Sequence, residues 1–320
     1  MWWRPEQFSA KEDNLHIRMN LIKAIRKWFD GQGFYEVETP VLQKSPGMEA
    51  HLRAFKTERI SPELDNSSGL FLHTSPEFAM KKLLVAGLPK IYQICKCFRN
   101  AEGSSLHSCE FTMIEWYRAN AGYRDIMDDC INLFRHCAEE LGIDLLSFRG
   151  NTSNPFAEWE IISVTEAYEK YAGVKIDPAS SEKEWEELFY KTFLNEIEPK
   201  LGQGAPTIIY DYPVSMAALA RPKPEDPRFA ERFEIYVCGM ELANAFGELT
   251  DAGIQKERFE HDLKLKKELY GEEWPVDEGF ISALEYGMPE SGGIALGIDR
   301  LAMLFCGAGS IEEVMWCEII

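Results

Sequence analysis

The chain has 320 residues, 45% of them hydrophobic and 12% aromatic, enough to bury a large core either as one big domain or as two ordinary ones. Its 34 Lys and Arg against 53 Asp and Glu leave a formal charge of −19, which argues against a broad nucleic-acid footprint, although a local basic patch stays compatible with it. No apolar stretch approaches the roughly 18 residues of a membrane span, and Met1-Trp2-Trp3-Arg4-Pro5-Glu6 lacks the regions of a signal peptide, so the sequence predicts a cytoplasmic protein.

From Asn14 to Gln32 the apolar residues Leu15, Ile17, Met19, Leu21, Ile22, Ile25 and Phe29 recur near helical spacing, closed by Gly31 and Gly33, which predicts an amphipathic helix. Phe34 to Leu42 follows as a strand; Pro40 withholds a ladder hydrogen bond, so this strand belongs at a sheet edge or a subunit interface. After a loop through Pro62 to Gly69, Leu70 to His73 reads as a short strand, and Ser75-Pro76-Glu77 opens a helix running to Gly87, with the proline at its first position. Ile91 to Arg99 and Phe111 to Tyr117 read as two strands joined by a polar loop. The helix from Tyr123 to Leu141 carries Ile126, Cys130, Leu133, Phe134, Cys137 and Leu141 on one side and stops at Gly142, the pattern of core support.

Residues from about Asp144 to Gly204 mix a strand, Glu160 to Val164, with two acidic helical stretches and no evident chemistry, and read as an insertion at 144–204. Strands resume at Thr207 to Asp211, Arg232 to Cys238 and Glu241 to Leu249, the last two joined by a turn at Gly239-Met240, and a polar helix runs from Ala252 to Tyr270. Strands joined mainly by hairpins, with helices between groups, predict an α+β fold: a mostly antiparallel sheet flanked by helices in a single domain.

The cysteines stand at Cys95, Cys97, Cys109, Cys130, Cys137, Cys238, Cys306 and Cys317, with no Cys-x-x-Cys pair and no histidine at zinc-finger spacing. Neither a disulfide framework nor a structural zinc is indicated. Cys95 and Cys97 share a strand face and read as small core residues rather than ligands.

Three segments carry the chemistry. On the first hairpin a period of two puts Arg99, Phe111, Glu115 and Tyr117 on one face, an arginine for phosphate, a ring for a base and a carboxylate for an ammonium; the alternative is a half-buried hairpin with solvated charges. On the second, a turn at Gly239-Met240 sets Cys238 opposite Glu241, so Glu234 and Glu241 share a face and suit a hard cation such as Mg²⁺, unless they merely line an acidic, solvated face. Asn244, Phe246 and Glu248 have the other parity and join that face only through a bulge, which small Ala243 and Ala245 would permit. Third, Ser291 to Gly297 is a Gly-rich strand feeding a helix at whose start Arg300 sits. A cation at the positive end of a helix suits an anionic ligand, or else pairs with a carboxylate such as Asp299. Glu77 also has two readings, since Thr74-x-x-Glu77 fits a capping box.

Taken together, Gly33-Phe34-Tyr35-Glu36-Val37-Glu38-Thr39-Pro40, Phe98-Arg99-Asn100 through Glu110-Phe111, and Gly297-Ile298-Asp299-Arg300-Leu301 resemble motifs 1, 2 and 3 of the class II aminoacyl-tRNA synthetases, within them the lysyl branch. The resemblance covers almost the whole chain. It implies a synthetase catalytic core, ATP and Mg²⁺ as cofactors, and a homodimer. Arg99 and Arg300 would be catalytic, holding the α- and γ-phosphates, and Phe111 would stack on adenine. His107, Glu234, Glu241, Leu242 and Gly297 complete the implied nucleotide site, with magnesium on Glu234 and Glu241. Ser75, Pro76, Glu77, Glu115, Tyr117, Asn244, Phe246, Glu248 and Ala295 would line a pocket for a diamino acid.

Only a short leader precedes the first helix, where lysyl-tRNA synthetases carry an anticodon-binding OB-fold domain. Ordinary tRNA charging is therefore not expected. The boundary and Ala295 are similar to the truncated paralogues that attach β-lysine to a lysine of translation elongation factor P, which implies lysine or β-lysine and that factor as partners. The sequence departs from motif 2 at Ala101, where glutamate is usual, and at Ser108-Cys109 in place of Asn-Pro. Two other readings stay open: an adenylate-forming ligase with another acceptor (a small molecule, carrier protein or RNA), and a weakened module that senses an amino acid without turnover.

Overall fold

The computed structural model describes residues 2–62, 67–176 and 189–317. In chain order the strands are β1 (Tyr35–Glu36), β2 (Leu42–Gln43), β3 (Lys56–Ile60), β4 (Ser67–Leu72), β5 (Lys90–Phe98), β6 (Glu110–Ala119), β7 (Leu146–Phe148), β8 (Asn151–Ser153), β9 (Glu160–Ser163), β10 (Thr207–Pro213), β11 (Phe229–Val237), β12 (Met240–Gly247) and β13 (Ser291–Gly297). The longer helices are α1 (Glu12–Gly31), α2 (Glu77–Val85), α3 (Tyr123–Leu141), α4 (Ala252–Tyr270), α5 (Glu278–Gly287) and α6 (Ile298–Cys306). Eight strands form the main sheet in the order β1-β5-β6-β13-β12-β11-β10-β9. Pairing is antiparallel except at the two ends, where β1 on β5 and β9 on β10 run parallel. The α+β sheet expected from hairpin connections is the one that forms.

Strand parity divides the molecule. On β6, Ile114 and Trp116 enter the main core with Leu21, Ile25 and Phe29 of α1 and Ile126, Leu133 and Phe134 of α3. Phe29 stacks on Tyr92 with centroids 4.5 Å apart and meets Trp116 edge-on at 5.2 Å. Burying each such side chain stabilises the fold by roughly 1.5–3 kcal/mol. The alternate residues Phe111, Met113, Glu115 and Tyr117 therefore face the opposite side of the sheet. There a second cluster of Phe78, Met80 and Leu84 with Phe259, Phe280 and Leu284 packs α2, α4 and α5 together.

Several boundaries differ from the sequence reading. The strand expected over Phe34 to Leu42 is two short strands in different sheets, β1 at the edge of the main sheet and β2 beside β4. Pro40 lies in the break, and the preceding Thr39 amide is taken by the Gln93 side chain at 3.0 Å rather than by a neighbouring strand. Ser67 to Gly69, expected in a loop, belong to β4, while 63–66 lie outside the described residues; β3 and α5 went unread.

The hairpin β11–β12 turns at Cys238-Gly239, one residue earlier than expected, because both residues adopt positive φ, 55° and 75°, as a two-residue primed turn requires. Glu241 thus lies opposite Tyr236 rather than Cys238, and a bulge at Leu242 then sets Asn244 opposite Glu234 and Phe246 opposite Arg232. The bulge corrects the parity, so Glu234, Glu241, Asn244 and Phe246 share one face.

The hairpin tip is seated on Gly202, whose carbonyl accepts the Cys238 amide at 2.9 Å. Gly202 has φ +67°, and a Cβ there would stand 2.5 Å from both Tyr236 O and Val237 Cα. Gly202→Ala should therefore destabilise the chain by more than about 2 kcal/mol in urea unfolding, through backbone strain and a clash with backbone that cannot yield; a change under about 0.5 kcal/mol would contradict this seating.

Candidate active site

A cavity of about 1100 Å³ opens on the face of the sheet opposite α1 and α3. Strand register places Gln93, Glu115, Ala295, Asn244 and Glu234 side by side across five strands, and Ile91, Tyr117, Gly293, Phe246 and Arg232 in the next row. The middle strand, β13, contributes only small residues to this floor. At Gly293 a Cβ would stand 2.2 Å from Glu248 Oε1 and 2.3 Å from Tyr117 Cδ1, so glycine there gives those two side chains their room.

One end of the cavity is cationic. The Arg99 guanidinium lies over the Phe111 ring, 5.1 Å from its centroid, and its Nε is buried without a hydrogen-bond partner. Arg300, in the first turn of α6, donates to the Glu241 carbonyl at 2.8 Å and to His107 Nε2. Because arginine only donates, Nε2 must accept, and the ring proton sits on Nδ1, 2.9 Å from Ser104 Oγ. Burial, then the charges of Arg300 and Arg99, push His107 down to about 4, so the ring is neutral at physiological pH. Neither Arg99 nor Arg300 pairs with a carboxylate among the described residues. Asp299 does not neutralise Arg300; it is bound to Arg18 at 2.5 Å. Two unpaired arginines facing a cavity fit an anion such as a polyphosphate. In the loop above, Ala101 has φ 62°, and the next residue, Glu102, lines the cavity.

Beside the arginines stand three carboxylates. Glu234 is saturated: Tyr212 and Tyr236 each donate to Oε2 at 2.6 Å, and Arg232 donates to Oε1 at 2.5 Å and to Asn244 Oδ1 at 3.0 Å. Glu241 has no side-chain partner among the described residues, and burial, reinforced by Glu234, pushes it up to about 7. Glu198 is also raised, by burial and then by Glu234. A hard-oxygen donor set of this kind, with Glu241 and Glu198 lacking a paired cation among the described residues, fits a divalent cation.

The other end is a pocket of buried acids around a buried lysine. Lys81 is 1% exposed and bridges Glu77 and Glu248, the latter at 2.5 Å. Burial alone would lower the Lys81 pKa, but Glu248 and Glu77 overcome it and hold the ammonium charged. Burial, opposed by Lys81, raises Glu77 and pushes Glu248 up to about 7. Glu115, 1% exposed, accepts from Ser75 Oγ at 2.5 Å and from Tyr117 Oη at 2.8 Å. Burial and then Glu77 raise its pKa well above the carboxylate range. The capping reading of Glu77 does not apply: Thr74 Oγ1 donates to the Pro46 carbonyl, and the Glu77 amide bonds Ser75 Oγ.

Of the residues singled out from sequence, Ser75, Glu77, Arg99, His107, Phe111, Glu115, Tyr117, Glu241, Leu242, Asn244, Phe246, Glu248, Ala295, Gly297 and Arg300 line this one cavity. Glu234 lies behind Arg232 and the two tyrosines, and Pro76, at the N-cap of α2, lines a small neighbouring cavity that shares Ser75 and Glu77 with the main one. Lys81 and Arg232 went unread. Both had a signal: Lys81 is four residues after Glu77 on a helix, and Arg232 is two before Glu234 on a strand.

Residues 7–316 match the family model described as class II tRNA synthetases (D, K and N). The chain is similar to proteins named elongation factor P–(R)-beta-lysine ligase. It is 40% identical to that of Hamiltonella defensa, 42% to that of Mannheimia succiniciproducens and 39% to that of Histophilus somni, each alignment covering 98% of this chain and 96% of the relative.

Two outcomes follow from the charges. Lys81→Met strands two buried carboxylates and should cost about 3 kcal/mol in urea unfolding at neutral pH, a loss that shrinks near pH 5 as those carboxylates protonate. Glu241 and Glu248, raised from 4.5 to about 7, bind protons more tightly folded than unfolded. Their stabilisation is full below about pH 4.5 and is lost as pH rises through about 7. Glu241→Gln should therefore flatten the fall in melting temperature between about pH 5 and about pH 8, measured by scanning calorimetry; an unaltered slope would show Glu241 to be solvated.

Proposed function

The chain belongs to the class II tRNA synthetases of the D, K and N type, and on that premise we propose that it uses ATP to activate a lysine-like diamino acid and transfers it to a lysine side chain of elongation factor P. A substrate carboxylate oxygen attacks the α-phosphorus, pyrophosphate leaves, and the resulting aminoacyl-adenylate loses AMP when the acceptor amine attacks its carbonyl. Such steps depend on positioning and charge stabilisation more than on a protein nucleophile. Arg99 and Arg300 hold the phosphates, Phe111 presents its ring to the base, and Glu241, backed by Glu234, would hold Mg²⁺, which neutralises phosphate charge when bound. The names of the relatives specify (R)-β-lysine, which we take as the preferred substrate and elongation factor P as the acceptor.

The observation that carries the reading is Glu115, a buried carboxyl held by Ser75 and Tyr117 in a cavity whose far end has two unpaired arginines. Glu77, Glu115 and Glu248 around one lysine leave room for two further positive charges, the number a diamino acid brings. Homodimer formation is supported by Tyr35 and Leu42, 56% and 50% exposed on either side of Pro40.

Pyrophosphate exchange with lysine and with (R)-β-lysine tests the activation step. Exchange is expected with at least one, with Arg300→Ala reducing it by about 100-fold or more and Glu115→Gln acting mainly on the amino-acid KM; no exchange with any diamino acid would refute the reading. Since burial favours the neutral form of Glu115 and an arriving ammonium favours its charged form, calorimetry in two buffers of different ionisation enthalpy should detect proton release on amino-acid binding. Mass spectrometry of elongation factor P after incubation with ATP and β-lysine should find the added aminoacyl mass.

A further inference from the structure

A second group of donor atoms gathers on the same sheet, outside the reaction just described. His73 follows β4 and is wholly buried. One ring nitrogen, Nε2, lies 2.7 Å from the Lys96 carbonyl; a carbonyl only accepts, so Nε2 carries the proton and Nδ1 presents a lone pair. Nδ1 is buried with no hydrogen-bond partner. Two thiols on β5 stand beside this ring, and a ligand atom from each of His73, Cys95 and Cys97 lies within 4.8 Å of the other two. The sulfurs are 3.9 Å apart. Two sulfurs each roughly 2.3 Å from a tetrahedral zinc are about 3.8 Å apart, so the thiols already stand at the spacing a shared ion requires.

We propose that His73, Cys95 and Cys97 form a Zn²⁺ site, with both cysteines bound as thiolates and the fourth position open to water. The sequence suggests small core residues here, because free cysteines are usually buried and neither a Cys-x-x-Cys pair nor a histidine at zinc-finger spacing is present. Thiolate and imidazole donors select a borderline-soft ion, unlike the carboxylates of the nucleotide site, which suit Mg²⁺. The Nε2–H bond to a backbone carbonyl is the outer contact that fixes a ligating histidine. Partial exposure of Cys95, against full burial of Cys97, supplies an entry path. Two thiolates balance the charge of the ion, so binding adds no net charge near Arg99. Cys97 pairs with Phe111 and Cys95 with Met113, and His73 is two residues before Ser75. The ion would therefore clamp the hairpin bearing Arg99 and Phe111 to the segment bearing Ser75 and Glu77, acting on position rather than on reacting atoms.

The test uses the full chain, stripped with a chelator and titrated with Zn²⁺ against a colorimetric zinc indicator, and separately with Co²⁺. One equivalent of Zn²⁺ should bind, and Co²⁺ should give the intense visible bands of a tetrahedral site with sulfur-to-metal charge transfer. Cys95→Ser combined with Cys97→Ser should abolish both with an unchanged circular dichroism spectrum, and His73→Gln should weaken Zn²⁺ binding by about tenfold or more. The proposal fails if the parent chain takes up no Zn²⁺, if its Co²⁺ form lacks sulfur charge transfer, or if the folded double variant binds as well as the parent. Should the double variant not fold, the Co²⁺ spectrum of the parent decides.

Discussion

Arg18 and Asp299 meet at 2.5 Å with both side chains almost wholly inside the protein, and the placing of Arg300 at the cationic end of the cavity depends on that contact. Asp299 also accepts the Thr112 amide at 2.6 Å, and Arg18 donates to Thr112 Oγ1 at 3.0 Å. Three elements distant in sequence, α1, β6 and the start of α6, are thereby locked at one point. A buried ion pair of this kind adds little net stability, since desolvation offsets most of the attraction; its use here is to fix registry. Asp299 occupies the first turn of α6, where a negative charge is favoured, and spending it on Arg18 leaves the adjacent Arg300 without a carboxylate of its own. Arg300 can then turn toward His107 and the cavity.

Charge in the cavity is divided by a similar economy. At the arginine end neither Arg99 nor Arg300 is paired with a carboxylate among the described residues; at the other end acids are in excess, and Lys81 cancels part of that excess from within. Without Lys81, Glu77 and Glu248 would have to take up protons to stay buried. With it, the pocket can stay folded before any ligand arrives, and the acid that remains least compensated is Glu115.

Much of this was legible in the residue pattern, since periods of two and of 3.6 report directly which side chains share a face. α3 and α4 match the expected boundaries residue for residue, and β5 and β6 pair as the alternation of Arg99, Phe111, Glu115 and Tyr117 implied. The pattern failed where the backbone leaves its ordinary regions. Nothing in Cys238 announces a left-handed residue, so the β11–β12 turn was misplaced by one position; the bulge at Leu242 was allowed for but could not be located. Ala101 is similar: it removes a glutamate from its usual place, yet its positive φ turns the chain so that Glu102 reaches the cavity. Partnerships across the sheet were also hidden. Tyr212 with Glu234, and His73 with Cys95 and Cys97, arise from strand order and from a segment that follows a strand of another sheet, which no local window contains.

The floor of the cavity is built from strands lying about 4.8 Å apart, with Glu115, Ala295 and Asn244 on three successive strands. The sheet repeat therefore works as a ruler. A ligand lying across it is graded in steps of one strand, and the side chain of Ala295 is the mark at the middle step. Moving a ligand's polar group by a single carbon is a displacement smaller than one step, so it cannot be sensed by exchanging one strand position for the next. It has to be sensed by the height of the mark, and a methyl group at residue 295 is the finest increment of height that side-chain chemistry provides.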